Sequence, residues 1–276
     1  MTRFQSGALL LFALVSTSLS ADTMKGNFHF GNVRFDAVDA IAYQVDVKDE
    51  KAPLTIVALT DFKIDRPGVM AAIDPIQALY TQSGEKGNFV TVRIASPDHC
   101  SVAGWLASTQ QQIDLGGFSG KNTVSANSRV NGECATKHPE KLFDDEYDFK
   151  FSYDVPITVV PKPTTLTAGG GDAGSQYLAL LKAIQARDWT GAHLHVPEGS
   201  LPDTKAKVAE SNYFENLELN YPKASATVTG GLMKGDRAQI DIAGMNHDGR
   251  KINGTVMMKK VGSDWRVIDQ QFYGTE

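Results

Sequence analysis

Apolar and polar residues alternate most cleanly late in the first half of the chain. Tyr147, Phe149, Phe151, Tyr153 and Val155 fall on one face of an extended segment, with Asp148, Lys150, Ser152 and Asp154 on the other, so this segment predicts a one-sided strand. Apolar runs over 40–47, 54–60 and 89–95 predict further strands. Gly116, Gly117, Gly120 and Gly132 break the stretch from Trp105 to Cys134 into short extended pieces, as in an antiparallel meander. Between residues 67 and 80, Val69, Met70, Ile73, Ile76 and Leu79 recur at mixed spacing around Pro75. A proline cannot donate within a helix and clashes with the preceding turn, so the helix predicted here is kinked or split at that point.

The second half has a different periodicity. Tyr177, Leu180, Leu181 and Ile184 lie at i, i+3, i+4 and i+7 and predict an amphipathic helix capped by Asp172 or Ser175. A second helical stretch spans 204–217, with Val208, Phe214 and Leu217 as its apolar stripe. Four extended runs follow, at 224–233, 236–244, 250–260 and 265–273, separated by the turn pairs Lys234-Gly235, Asp248-Gly249 and Gly262-Ser263. Between the halves stand Pro161, Lys162, Pro163, a threonine cluster and Gly169 to Gly171, a composition expected of a linker. The expected plan is a β-rich domain over 22–160, a linker over 161–174 and an α+β domain over 175–276. The fold class expected is α+β: a mostly antiparallel β domain with a helical insertion, then helices packed on a curved antiparallel sheet.

Three groups of residues in the second half carry a resemblance. They are Leu180, Lys182, Ala183, Ala186, Arg187, Asp188 and Trp189; the turn Gly235-Asp236-Arg237-Ala238; and the ending Gly262-Ser263-Asp264-Trp265-Arg266-Val267-Ile268. Together the last 100 or so residues resemble the NTF2-like superfamily, in particular its small exported bacterial members. That resemblance implies an α+β cone around an internal cavity, with Trp265 anchoring the last strand under the helices. It implies no activity, because the superfamily includes enzymes, ligand binders and interaction modules. In the first half, the segment from Leu142 to Phe149 is similar only to uncharacterised secreted bacterial proteins, which implies location rather than chemistry.

Composition and charge narrow the compartment and the partners. Of 276 residues, 42% are apolar, enough for folded cores. The net charge is -5, which argues against a non-specific nucleic-acid binder. From Asp22 to Gly174 there are 14 basic and 20 acidic residues, whereas from Ser175 onward there are 12 of each, so the acidic excess lies in the first half. Arg3, the apolar run from Ala8 to Val15 and the small residues from Ser16 to Ala21 read as a signal peptide over 1–21. The run is too short to span a bilayer, so no membrane span is expected after its removal. An exported chain with only two cysteines, Cys100 and Cys134, is expected to close them as a disulfide in the periplasm or outside the cell.

Candidate chemistry is sparse. His193 and His195 have a spacing that binds zinc on a strand, but their segment continues a helical pattern in which the rings splay apart, so solvent-facing or hydrogen-bonded histidines are expected and no metal. Asp144, Asp145, Glu146 and Asp148 lack the spacing of a calcium loop and read as a solvated turn. Gly116 to Thr123 only loosely echoes a phosphate-binding loop, since the glycine spacing is wrong and a strand follows. No cofactor is expected. Asp241, Asp269 and Tyr213 are the candidates for an acid/base site in the second domain. The leading expectation is a non-catalytic exported binding protein with an envelope protein as partner. The alternative is a site for a small apolar ligand, or for a hydrolase or isomerase reaction, inside the cone.

Overall fold

A computed structural model describes residues 23–46, 53–125, 128–197 and 212–275. The expected signal peptide at 1–21 and most of the helical stretch expected at 204–217 lie outside the described residues. The first half contains β1 (Thr23–Phe30), β2 (Val33–Asp36), β3 (Asp39–Val45), β4 (Leu54–Thr60), α1 (Arg66–Ala71), α2 (Pro75–Lys86), β5 (Phe89–Ser96), β6 (His99–Leu106), β7 (Gln111–Ser125), β8 (Arg129–Ala135), β9 (Glu140–Leu142) and β10 (Asp145–Thr158). The second half contains β11 (Thr164–Leu166), α3 (Gly171–Gln185), α4 (Trp189–His193), α5 (Tyr213–Asn220), β12 (Thr227–Lys234), β13 (Arg237–Met245), β14 (Lys251–Val261) and β15 (Asp264–Gly274).

Antiparallel pairing runs from β3 through β8, and β10 then pairs with β8 along one edge and with the end of β3 along the other. The sheet therefore returns on itself, with the β1–β2 hairpin laid against β10. The alternation in β10 drives this closure, because Tyr147, Phe149, Phe151, Tyr153 and Val155 are all buried inside it. Phe149 meets Phe118 edge-on at 4.8 Å and stacks on Phe151 at 5.3 Å. The Cys100–Cys134 disulfide joins β6 to β8 within this core.

A second cluster fills the outer side of β3, β4 and β5, under α1 and α2. The helix splits at Pro75, as its ring requires. Asp65 accepts from the Gly68 amide to cap α1, and Asp74 accepts from the Ile76 amide to cap α2. Asp39, buried at the start of β3, fixes this helix pair by accepting from the amides of Ala40 and Ile64 and from both terminal nitrogens of Arg66.

In the second half, β11 to β15 form an antiparallel sheet in chain order. Tyr177, Leu180, Leu181 and Ile184 of α3 pack onto its inner face with Ile240, Val256, Trp265 and Val267. The helix does not begin at an Asp172 or Ser175 cap, because both residues lie inside it. Gly170 is the N-cap, at φ 64°, with no side-chain hydrogen bond. A Cβ on Gly170 would stand 2.7 Å from Val228, and one on Gly174 would stand 2.1 Å from the Gly169 carbonyl oxygen, so the glycines let the helix start press against β12. Within the segment expected as a linker, Thr164–Leu166 is a paired strand and Lys162 is ion-paired with Asp46. Among the described residues, no cluster of buried side chains combines residues from both sides of 161–163.

The expected α+β class is corrected by this architecture. Strands hold 53% and helices 20% of the described residues, and antiparallel pairing extends through both halves. The chain is a mostly antiparallel β protein rather than one built around an NTF2-like α+β cone. The helical periodicity of 177–184 marks one helix, α3, and does not set the class of the whole chain. The described helices of the second half cover one face of an open sheet, and the space between is filled by Leu181, Ile184, Trp265 and Val267.

Candidate functional site

The outer face of the second sheet is the one that β-alternation leaves for polar residues. Ala238, Ile240 and Ile242 point to the helices and are buried, so Arg237, Gln239 and Asp241 point the other way. Cross-strand pairing extends this outer face to Thr255 and Met257 on β14 and to Asp269 and Gln271 on β15. The α1–α2 corner of the first half stands against it. Ala72 and Ile73 are buried there without belonging to any of the apolar clusters, and the Lys234 ammonium donates to the Ala72 carbonyl at 2.7 Å. Lys234 is only 8% exposed and has no acidic partner among the described residues, and burial lowers its pKa from the ordinary lysine value.

Beside this contact lies a cleft of about 370 Å³. One wall comes from the helix pair, with Asp65, Asp74, Gln77, Thr81 and Gln82. The other comes from the sheet, with Arg237, Gln239, Thr255, Met257, Asp269 and Gln271. Gln82 is held in place by the backbone of Asp65, its oxygen accepting from the amide at 2.9 Å and its nitrogen donating to the carbonyl at 3.2 Å. Gln270 donates to the Asn220 carbonyl, and its own side-chain oxygen is buried without a donor among the described residues.

Four cations cross the outer face in a row. Lys234 pairs with Arg237, Arg237 with Lys259, and Lys259 with Arg266, one from each of β12 to β15. Adjacent strands lie about 4.8 Å apart, so the row spans roughly 15 Å. Like charges placed directly opposite one another destabilise a sheet. Among the described residues, the side chains of Arg237, Lys259 and Arg266 have no hydrogen-bond or ion-pair partner, and the inner Nε–H groups of both arginines are buried without an acceptor.

The structure separates the three acid/base candidates. Asp269 lines the cleft, and Asp241 is half-buried on the same face outside its lining. Asp241 pairs with Thr255 and Asp269 pairs with Met257, which puts their backbones two strands and two residues apart, roughly 12 Å. The register therefore does not bring them side by side as a cross-strand pair. Tyr213 is on α5, across the sheet among the helices. Burial pushes its hydroxyl up to about 12, and its oxygen has no hydrogen-bond partner among the described residues.

The remaining motifs fall on separate elements of the fold. His193 stacks on Trp189 at 4.8 Å, while His195 donates from Nδ1 to the Trp265 carbonyl at 3.0 Å, so the pair does not converge. No group of three metal-ligating side chains occurs among the described residues. Gly116 to Thr123 lies within strand β7, and Asp144 and Asp145 sit at the β9–β10 turn. No helix among the described residues is long and apolar enough to cross a membrane.

Sequence reasoning missed the cation row and the glutamine-lined cleft. The row had a signal in the turns: two residues separate Lys234 from Arg237, so a tight hairpin sets them opposite. The cleft had none, because its walls are more than 150 residues apart in the chain. The chain matches no family model, no curated protein and no solved structure, so likeness to known proteins assigns it neither family nor function.

Proposed function

We propose that this is an exported binding protein and that its ligand occupies the cleft between the α1–α2 corner and the outer face of the second sheet. The observation that carries this reading is the lining: amides and hydroxyls of Gln77, Thr81, Gln239, Thr255 and Gln271 converge on one concavity of ligand size. Such groups orient a small polar molecule by hydrogen bonds. An envelope protein inserting a polar loop would use the same surface. Export is supported by the Cys100–Cys134 disulfide, which persists in an oxidising compartment. The test is thermal stabilisation by a panel of small polar compounds, compared with the Gln239→Ala and Thr255→Val variants. Stabilisation that both variants abolish is the expected result, and equal stabilisation of the variants refutes the site. Cell fractionation with thiol alkylation tests export, since protein retained in the cytosol with both thiols reactive contradicts it.

A second reading rests on a groove of about 310 Å³ lined by Leu181, Ile184, Tyr221 and Pro222, at the rim of the second core. Its apolar walls suit a small apolar ligand. Binding of a fluorescent fatty-acid probe that is lost in Leu181→Gln and kept in Gln239→Ala distinguishes this site from the polar cleft, and equal binding by both variants refutes it.

A further inference from the structure

We infer that the ligand of the cleft is an anionic saccharide, a polyhydroxylated molecule whose carboxylate or phosphate group lies on the cation row while its hydroxyls enter the cleft. This rests on the proposed cleft site and adds the ligand's chemistry. Arg237 belongs to both features, since it lines the cleft and stands second in the row. The row repels itself and contains two arginines with desolvated, unpartnered Nε–H groups. An anion laid across Arg237 and Arg266 supplies the missing counter-charge, and a guanidinium fork suits a carboxylate or phosphate.

The acids of the cleft define the rest of the molecule. Asp65, Asp74 and Asp269 are acceptors only, so the body of the ligand must donate hydrogen bonds to them. Sugar hydroxyls donate and accept, matching these carboxylates together with the amides of Gln77, Gln239 and Gln271. Acyl chains have no donors, so the row and the cleft together do not fit the body of an anionic lipid. A bare polyphosphate lacks donors too and is repelled by the same three carboxylates.

The test is calorimetric titration of the full protein at low salt with oligogalacturonate, glucuronic acid and glucose 6-phosphate. Maltotriose, tripolyphosphate and vesicles of phosphatidylglycerol with phosphatidylcholine serve as the other arms. At least one anionic sugar is expected to bind, more weakly as salt rises, with maltotriose at least about tenfold weaker. Arg237→Gln and Arg266→Gln are each expected to weaken that binding by about 10- to 100-fold. Both variants are expected to keep or raise the unfolding temperature, because each removes a like-charge contact. The exposed Lys259→Gln change provides the same reading should an arginine variant fail to fold. Equal binding of maltotriose that depends on Gln239 and not on the arginines overturns this inference and leaves the cleft reading intact. Binding of tripolyphosphate as tight as that of the sugars, retention on vesicles alone, or no binding of any anionic sugar also overturns it.

Discussion

Removing the disulfide with Cys100→Ala and Cys134→Ala is expected to destabilise the first half of the chain selectively. The bond closes a loop of sequence separation 34. In the chain-entropy treatment, opening that loop in the unfolded state returns about 12.6 cal/mol/K, or about 3.8 kcal/mol at room temperature. Both cysteines are buried in the closed sheet, so loss of their sulfurs leaves a small void worth roughly 1 kcal/mol more. The expected loss is therefore about 4 to 5 kcal/mol. A unit of about 140 residues has an unfolding entropy of about 0.3 kcal/mol/K, so its melting temperature should fall by about 15 °C. Urea titration followed by tryptophan fluorescence measures this effect. Trp105 packs on Tyr80 and reports on the first half, while Trp189 and Trp265 report on the second, and a Trp105→Phe background separates the signals. A loss below about 1 kcal/mol, or an equal shift in the signal of Trp189 and Trp265, refutes the reasoning.

Asp39→Asn should cost about 2 to 4 kcal/mol in the same titration, because it removes the buried negative charge opposite Arg66 and puts an NH2 donor where one carboxylate oxygen accepts from Arg66 and a backbone amide. Burial works to raise the pKa of Asp39, but the Arg66 bond and the amides of Ile64 and Ala40 hold it below 3.8. The stability it contributes is therefore present above that value and lost as the pH falls through the lowered one, which acid titration of wild type against the variant will display. In alkali the sign reverses. Burial raises the hydroxyl pKa of Tyr43, Tyr153, Tyr177 and Tyr221, and takes Tyr147 and Tyr213 to about 12. The contribution of Tyr147 and Tyr213 is intact below the ordinary tyrosine value of 10.0 and should disappear as the pH rises through about 12, while that of the other four persists to higher pH. Tyrosinate absorbance rising together with loss of circular dichroism, rather than well before it, checks this. Lys234→Met removes the bond to Ala72, so small-angle scattering should show a larger radius of gyration and proteolysis should increase at 161–163; unchanged values for both count against that contact holding the two halves together.

Local physics explains what was legible in the sequence. The alternation from Tyr147 to Val155 could only bury one face, and that face became the core of the closed sheet. Pro75 split the helix because its nitrogen has no proton, and an even pair of cysteines formed the disulfide. The four final strands followed from their turn pairs. These features depend on neighbours a few residues apart, where side-chain period and turn chemistry suffice. The helical stripe of α3 was equally clear, yet it misled about fold class, since a stripe states which face is buried and not how much of the chain is helical. Tertiary structure alone decided that β10 pairs with both β8 and β3, that Arg237 and Arg266 align across the sheet with Lys259 between them, and that Asp65 faces Asp269 across a cleft. Those relations are set by register and docking between distant segments, and a one-residue slip on any strand would turn every one of its side chains to the opposite face.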